Sequence, residues 1–377
     1  MNAFIPPFCP WKGCSEHHLS SSKHPYQAYL PWGSYPTKAF GRVPRFRCSS
    51  CGRTFSVQSF SLDYYAKRVV DYQDVARRLS SCESLRAIGR NLGLSCDSVS
   101  NRISRASRQA IAAESRLASS RHPDEDLAAD GFESFCVSQY FPNNIHLLVG
   151  SESQFVYASN HVTLRRKGRM TKAQKRRRSE LDGRFRPTPR GIEKGFSRIA
   201  TEALRLLSDS SRESLVLWTD EKLEYIRALE GRPLFASLEA AGRFRHRRVS
   251  SRAARTRANP LYPVNYFDRE LRKDLHEHVR ETVCFGRNVN QQNERLVLYL
   301  FGHNYQKPFR IAGELRSHAE VAGYDAGAIG AELELIWTQR AFLSLTDLTE
   351  DQREIWLRLR RTPLKEGKQY LPKYAAA

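Results

Sequence analysis

Asp130-Gly131-Phe132-Glu133-Ser134-Phe135 opens the first of three β-prone runs, over residues 132–140, 144–150 and 154–161. Turn signals at Pro142-Asn143 and Ser151 divide them. Together they read as a three-strand meander with Asp130 at the head of its first strand. Further on, Leu215-Val216-Leu217-Trp218 is a short apolar strand that ends at Thr219-Asp220. A basic strand over 242–249 carries Arg243, Arg245, Arg247 and Arg248. Helical patterns occupy 191–207, 221–229 (closed by Gly231), 268–281 and 289–303.

The resulting order, βββ-α-β-α-β-α-α, predicts an α/β mixed sheet flanked by helices, the plan of a ribonuclease-H-like fold. In that plan the first and fourth strands are neighbours, so Asp130 and Asp220 meet. A late helix would bring Glu294 to the same edge. Three carboxylates suit phosphodiester chemistry. Two Mg²⁺ ions ~3.5–4 Å apart stabilise the attacking and leaving oxygens on opposite sides of phosphorus. Such hard ions take oxygen ligands and retain waters, so a few carboxylates suffice. Taken singly, each residue has an ordinary reading: Asp130-Gly131 as a turn, Asp220 as a helix N-cap, Glu294 as one charge on a solvated face.

What precedes residue 119 gives the set its context. Cys9 and Cys14 are separated by four residues, Cys48 and Cys51 by two, and 33 residues lie between the pairs. Two such turns approach one tetrahedral zinc from opposite sides, which predicts a zinc ribbon over residues 1–60. A thioredoxin-like use of Cys48 and Cys51 lacks the surrounding βαβ pattern. His17 and His18 are near enough to Cys14 to replace one thiolate, but four cysteines make the two turns equivalent.

Leu85, Ile88 and Leu92 then recur at helical spacing, and Gly93 interrupts. Ser95 can cap a second helix that presents Ser98, Asn101, Arg102 and Arg105, a polar and basic surface suited to a major groove. A support helix is expected over 61–78. Residues 61–118 therefore read as a helix-turn-helix DNA-binding domain, although a plain helical hairpin gives the same apolar pattern.

The stretch 164–190 holds twelve Lys or Arg against two acids. Its Arg165, Arg166, Lys167, Arg176 and Arg177 suit a phosphate backbone, and the composition predicts a solvated loop in the absence of DNA. Arg245 and Arg247 of the basic strand, and Arg287, Arg295, His303 and Lys307 around Glu294, are further candidate phosphate contacts.

These residues carry a resemblance. Cys9-Pro10-x3-Cys14, Arg47-Cys48-x2-Cys51-Gly52-Arg53-Thr54-Phe55, the turn at Gly93, and Asp130, Asp220 and Asn293-Glu294-Arg295 make residues 9–311 similar to a bacterial insertion-sequence transposase of the DDE class with an N-terminal zinc ribbon. The resemblance implies a ribonuclease-H-like catalytic domain over 119–312 with Asp130, Asp220 and Glu294 as triad. It also implies Mg²⁺ or Mn²⁺ dependence, binding of double-stranded DNA at terminal inverted repeats and at a target, and a homo-oligomeric synaptic complex. Asp220 and Glu294 are 74 residues apart, which leaves room for an arginine-rich insertion, and Asn290-Gln291-Gln292-Asn293 departs from a tight Asn-Asn-x-x-Glu. Glu281 is the alternative third acid.

Bulk properties fit the same picture. The 377 residues carry a formal net charge of +21, which favours a polyanionic partner. No apolar run approaches the ~20 residues of a membrane span, and the first ten residues lack the pattern of a secretion signal. Eight cysteines, four of them scattered, fit a reduced compartment. The expectation is a cytoplasmic, nucleoid-associated protein without a membrane partner. Residues 313–377 read as a helical region, with a capping box at Thr349 and Gln352 and a frayed end from Lys365. A DNA-binding regulator without catalysis, and a nuclease that cuts without joining, remain the alternatives.

Overall fold

The computed structural model of the chain describes residues 4–18, 25–121, 123–210, 212–279, 282–365 and 370–377. After a single turn of helix, α1 (Pro25–Ala28), three antiparallel strands form a small sheet: β1 (Tyr29–Thr37), β2 (Gly41–Cys48) and β3 (Thr54–Ser56). Three helices follow: α2 (Tyr72–Leu79), α3 (Leu85–Leu92) and α4 (Cys96–Leu117). Then come β4 (Leu127–Phe135), β5 (Pro142–Gly150) and β6 (Val156–Thr163), followed by α5 (Lys172–Arg184), α6 (Gly191–Asp209), β7 (Leu215–Asp220), α7 (Leu223–Glu230), α8 (Pro233–Ala240) and β8 (Phe244–Val249). The chain ends through α9 (Tyr262–Asp274), α10 (Val289–Phe301), α11 (His318–Val321), α12 (Ala326–Leu335) and α13 (Glu350–Trp356).

The large sheet has the order β6-β5-β4-β7-β8. β4, β5 and β6 are antiparallel, whereas β7 and β8 run parallel to β4. Strand alternation gives it two apolar faces. Leu127 and Ala129 join a core with α6 and α7, while Ala128 and Phe132 join one with α9 and α10.

α3 and α4 meet as the sequence predicts. Ser95 accepts the Ser98 N–H, and Gly93 takes the left-handed conformation at φ 62°. A Cβ on Gly89 would lie 2.7 Å from the Leu94 carbonyl oxygen, so only glycine allows this close turn.

The boundary expected at residue 118 does not divide the core. Leu79, Ile88, Val99 and Ile103 share one apolar cluster with Phe132, Ile145 and Phe267. The helices before residue 118 are thus built onto the sheet. The support helix is shorter than its pattern suggests, because Asp71 caps α2 and accepts the Gln73 and Asp74 N–H groups. Tyr65 and Val69, which extend the periodicity upstream, are exposed. The basic stretch is also not a loop throughout. α5 starts at a Thr171–Gln174 capping box, and its one buried residue, Leu181, packs on Phe141 and Phe185.

The C-terminal segment is tied down. The Trp356 indole N–H donates to Ala375 O at 2.6 Å, and Leu343 N–H donates to Ala377 O. Among residues 370–377, then, the expected fraying is replaced by docking. The capping box at Thr349 and Gln352 is present.

Candidate active site and metal centre

Asp130 is the fourth residue of β4, not its head. Its neighbour Gly131 does not make a turn. A Cβ there would lie 2.3 Å from the Asn144 side chain on β5, so any larger residue must displace that buried amide. β4 and β7 pair at Leu127 with Leu217 and at Ala128 with Trp218. The same register carried two residues on sets Asp130 level with Asp220. The ladder between these strands stops before that point, at Ala128 and Trp218, while β4 stays paired with β5 to Phe135. The two aspartates therefore occupy the place where adjacent parallel strands part, the usual position of a crevice in an α/β sheet.

Asp130 Oδ1 accepts the Gly131 N–H at 2.6 Å and the Tyr225 hydroxyl at 3.4 Å. Asp220 Oδ1 accepts the Lys222 N–H at 3.1 Å, and the Lys222 ammonium lies 4.0 Å from Oδ2. The same ammonium donates to the Tyr225 hydroxyl at 3.4 Å. Tyr225 is held by Phe196, stacked on it with ring centroids 4.0 Å apart. A chain of contacts thus crosses the site from Asp220 through Lys222 and Tyr225 to Asp130.

A third carboxylate comes from α9. This helix packs on β4 and β5, with Val264, Phe267 and Leu271 buried in the core. That seating brings Asp268 into electrostatic contact with Asp130. Burial, and then the Asp130 charge, push the Asp268 carboxyl up to about 8. Asp268 Oδ1 is buried and has no hydrogen-bond partner among the described residues. Asp130 is also raised, first by burial and then by Asp220. A carboxyl raised by a neighbouring carboxylate stands close to it.

Glu294 does not stand with them. It is 2% exposed on α10 and receives a bidentate pair from Arg358, at 2.7 and 2.9 Å. Ser104 donates to Oε1 at 2.8 Å, and Arg108 is 4.0 Å away. Its charge is used to hold α10, α4 and the C-terminal segment together. Glu281 lies outside the described residues.

The expected phosphate contacts divide by exposure. Arg102 and Arg105 are buried and donate to the carbonyls of Arg68, Leu62 and Tyr64. Arg295 is buried in a bidentate pair with Glu277. His303 is buried, and Lys307 pairs with Glu270. These serve packing because α4 and α10 lie inside the molecule. On α4, Asn101 is half-buried and accepts from Arg105, and Ser98 is exposed in the first turn.

Arg165, Lys167, Arg176, Arg177, Arg245 and Arg247 are exposed, with Arg166 half-buried over the Tyr140 ring. β6, β7 and β8 all run in the sense of β4, so the basic stretch after Thr163 and the arginines after Val249 leave the sheet at the Asp220 end. Arg255 from the latter segment is felt electrostatically by Asp268. Asp268, Lys222 and Tyr225 have no sequence signature. Asp268 reads only as part of a helical pattern, and the other two read as an ordinary helix start.

The four cysteines meet as expected. Their sulfurs all lie within 4.8 Å of one another, the one such group of three or more His, Cys, Asp or Glu ligands among the described residues. Cys9 and Cys51 are 3.8 Å apart, and Cys14 and Cys48 are 3.7 Å apart. A sulfur tetrahedron with Zn–S of ~2.3 Å has edges of ~3.8 Å, so the cluster is compatible with zinc. Burial raises the Cys9 and Cys48 thiols, a balance that a central dication reverses. His17 is occupied elsewhere: Nδ1 meets Cys9 O at 2.7 Å and Nε2 meets the Ser344 hydroxyl at 2.7 Å.

Among the described residues no helix is long and apolar enough to cross a membrane. Comparison with protein-family models and with curated proteins gives no match.

Proposed function

We propose that the chain is a metal-dependent polynucleotidyl transferase acting on double-stranded DNA, in the manner of a DDE transposase, with Asp130, Asp220 and Asp268 as its carboxylates. The observation that carries this reading is the register that sets Asp130 level with Asp220 where β4 and β7 part, with the buried Asp268 of α9 in the field of Asp130. The strand order agrees with a ribonuclease-H-like sheet. Two exposed basic segments flank the same sheet end, which suits a phosphate backbone.

The donor set is all hard oxygen and fits Mg²⁺ or Mn²⁺. Ions ~3.5–4 Å apart with ligand bonds of ~2.1 Å span ~8 Å, so the carboxylates need not touch one another. When bound, the ions supply activation of the attacking oxygen and stabilisation of the leaving one. Asp130, which interacts electrostatically with both Asp220 and Asp268, would hold the ions together with them. Tyr225 orients Asp130 through its hydroxyl. Lys222 moderates the negative charge of the group. The cysteine ribbon and the exposed start of α4 remain the segments suited to recognising a DNA end.

The test is Mg²⁺-dependent nicking and joining of linear duplex DNA. Asp130→Ala, Asp220→Ala and Asp268→Ala are expected to lose both activities at least ~10³-fold while still binding DNA. Full activity in Asp268→Ala would remove it from the site, and cutting without joining in the parent protein would make it a nuclease.

A further inference from the structure

The small sheet of the cysteine ribbon has one covered face and one open face. On the covered side Tyr29, Phe55 and Phe60 are buried with Phe342, and Phe46 packs against them. Arg45 and Arg47 alternate with Phe46 along β2 and so point the other way. The register sets Arg47 between Leu30 of β1 and Thr54 of β3. Arg45 donates to the Thr54 hydroxyl at 3.0 Å. The open face of an antiparallel sheet is ordinarily polar. This one also carries Leu30 and Trp32, each 46% exposed.

Two arginines hold two indoles in place. The Arg47 guanidinium lies 4.9 Å from the centre of the Trp32 ring, and that of Arg53 lies 4.6 Å from the centre of the Trp11 ring. Trp11 belongs to the first cysteine turn and Arg53 follows the second, so the meeting of the four cysteines is what joins this pair. Arg47 also donates from Nε to Gly52 O at 3.2 Å, which keeps it beside the same turn. Stacking on a guanidinium orients each ring without removing it from solvent, and Trp11 stays 43% exposed. The charge around the rings has one sign. The first 60 residues carry seven Lys or Arg and one acid, Glu16. Glu16 is buried and accepts the Ser50 hydroxyl at 2.8 Å, so the ribbon sets no exposed carboxylate against its cations.

We infer that this face binds an unpaired stretch of DNA strand, with Trp11 and Trp32 stacking on bases and the arginines meeting phosphates. The cations alone suit any polyanion; the exposed indoles select the form of the strand. Paired bases are stacked on one another and present only their edges in the grooves. Unpaired bases offer their flat faces to aromatic side chains. That the strand is DNA rests on the polynucleotide reading above, and the place on the ribbon alone.

The test uses the full chain, zinc-loaded and without Mg²⁺, so that no strand is cut. Fluorescence anisotropy measures binding of an oligothymidylate of about 20 nucleotides, of an abasic strand of the same length and charge, and of a blunt duplex of that length. The parent protein is expected to bind the oligothymidylate at least ~10-fold more tightly than the abasic strand, and to lose part of its tryptophan fluorescence on doing so. Trp11→Ala/Trp32→Ala is expected to bind the two single strands alike and to change duplex binding less than ~3-fold. Trp11→Tyr/Trp32→Tyr, which keeps a ring at each position, is expected to restore most of the preference. Zinc content of the parent level in each variant shows that the ribbon is folded. A parent protein that does not distinguish the two single strands overturns the inference. So does a preference that survives in the alanine variant, or an equal loss on all three probes, which marks phosphate attraction alone. Base-dependent binding in a protein that Mg²⁺ does not make cut DNA sinks the catalytic reading and leaves this one standing.

Discussion

Asp268 ties the chemistry of the site to the stability of the fold. Its carboxyl is pushed up to about 8 by burial and by Asp130, against an ordinary value of ~3.9 in the unfolded chain. Between these pH values the unfolded chain has released a proton that the folded one keeps. Metal-free stability therefore falls as pH rises from ~4 to ~8 and levels off above. Asp268→Asn should flatten that slope and raise metal-free stability at pH 7 by on the order of 1–3 kcal/mol. Mg²⁺ should raise the melting temperature of the parent protein and not of the variant. Thermal melts across pH 4–9, with and without Mg²⁺, check both; a variant that melts at the parent temperature at pH 7 would remove Asp268 from the strained group. Glu294 is its counterpart. Glu294→Ala leaves Arg358 and Arg108 without their buried anion, and a loss of about 3–5 kcal/mol is expected in denaturant unfolding.

At the scale of elements, the β4–β5 pair sets the floor of the site, and Gly131 is its tightest point. Gly131→Ala places a methyl 2.3 Å from Asn144, where both side-chain polar atoms are already buried without partners among the described residues. A destabilisation of about 1–3 kcal/mol is expected by urea unfolding. DNA cleavage should fall further than stability explains, because the backbone shift displaces Asp130. Unchanged cleavage in a folded Gly131→Ala protein would show that β4 does not need this register.

Across the whole molecule, the two chain ends are fastened together. Phe342 packs edge-on to Phe8 at 5.0 Å, and His17 meets Ser344. Arg340 N–H donates to Phe60 O at 2.8 Å. Stability of the cysteine ribbon is thereby linked to the C-terminal segment. The protein should carry one zinc per chain by metal analysis. A zinc chelator should speed proteolysis near residues 340–377 as well as within the first 60. Cleavage confined to the N-terminal segment would show that the two ends are independent.

The cysteine spacing, the Gly93 turn and the alternation of the strands were legible in the sequence because each depends on residues close along the chain. Local periodicity also ordered the strands well enough to make Asp130 and Asp220 neighbours. The reach of those periodicities was not legible: Tyr65 and Val69 look like a helix face, but Asp71 caps α2 after them. Nor could the sequence say which acid completes the pair, since Glu294 and Asp268 both lie in helical patterns. Only tertiary structure assigns Glu294 to Arg358, 64 positions away, and brings Asp268 into the field of Asp130. A charge takes its role from its partners in space, and those come from helix packing on the sheet. By the same reasoning Arg102, Arg105 and Arg295 became interior braces, because α4 and α10 are buried where their composition suggested a surface.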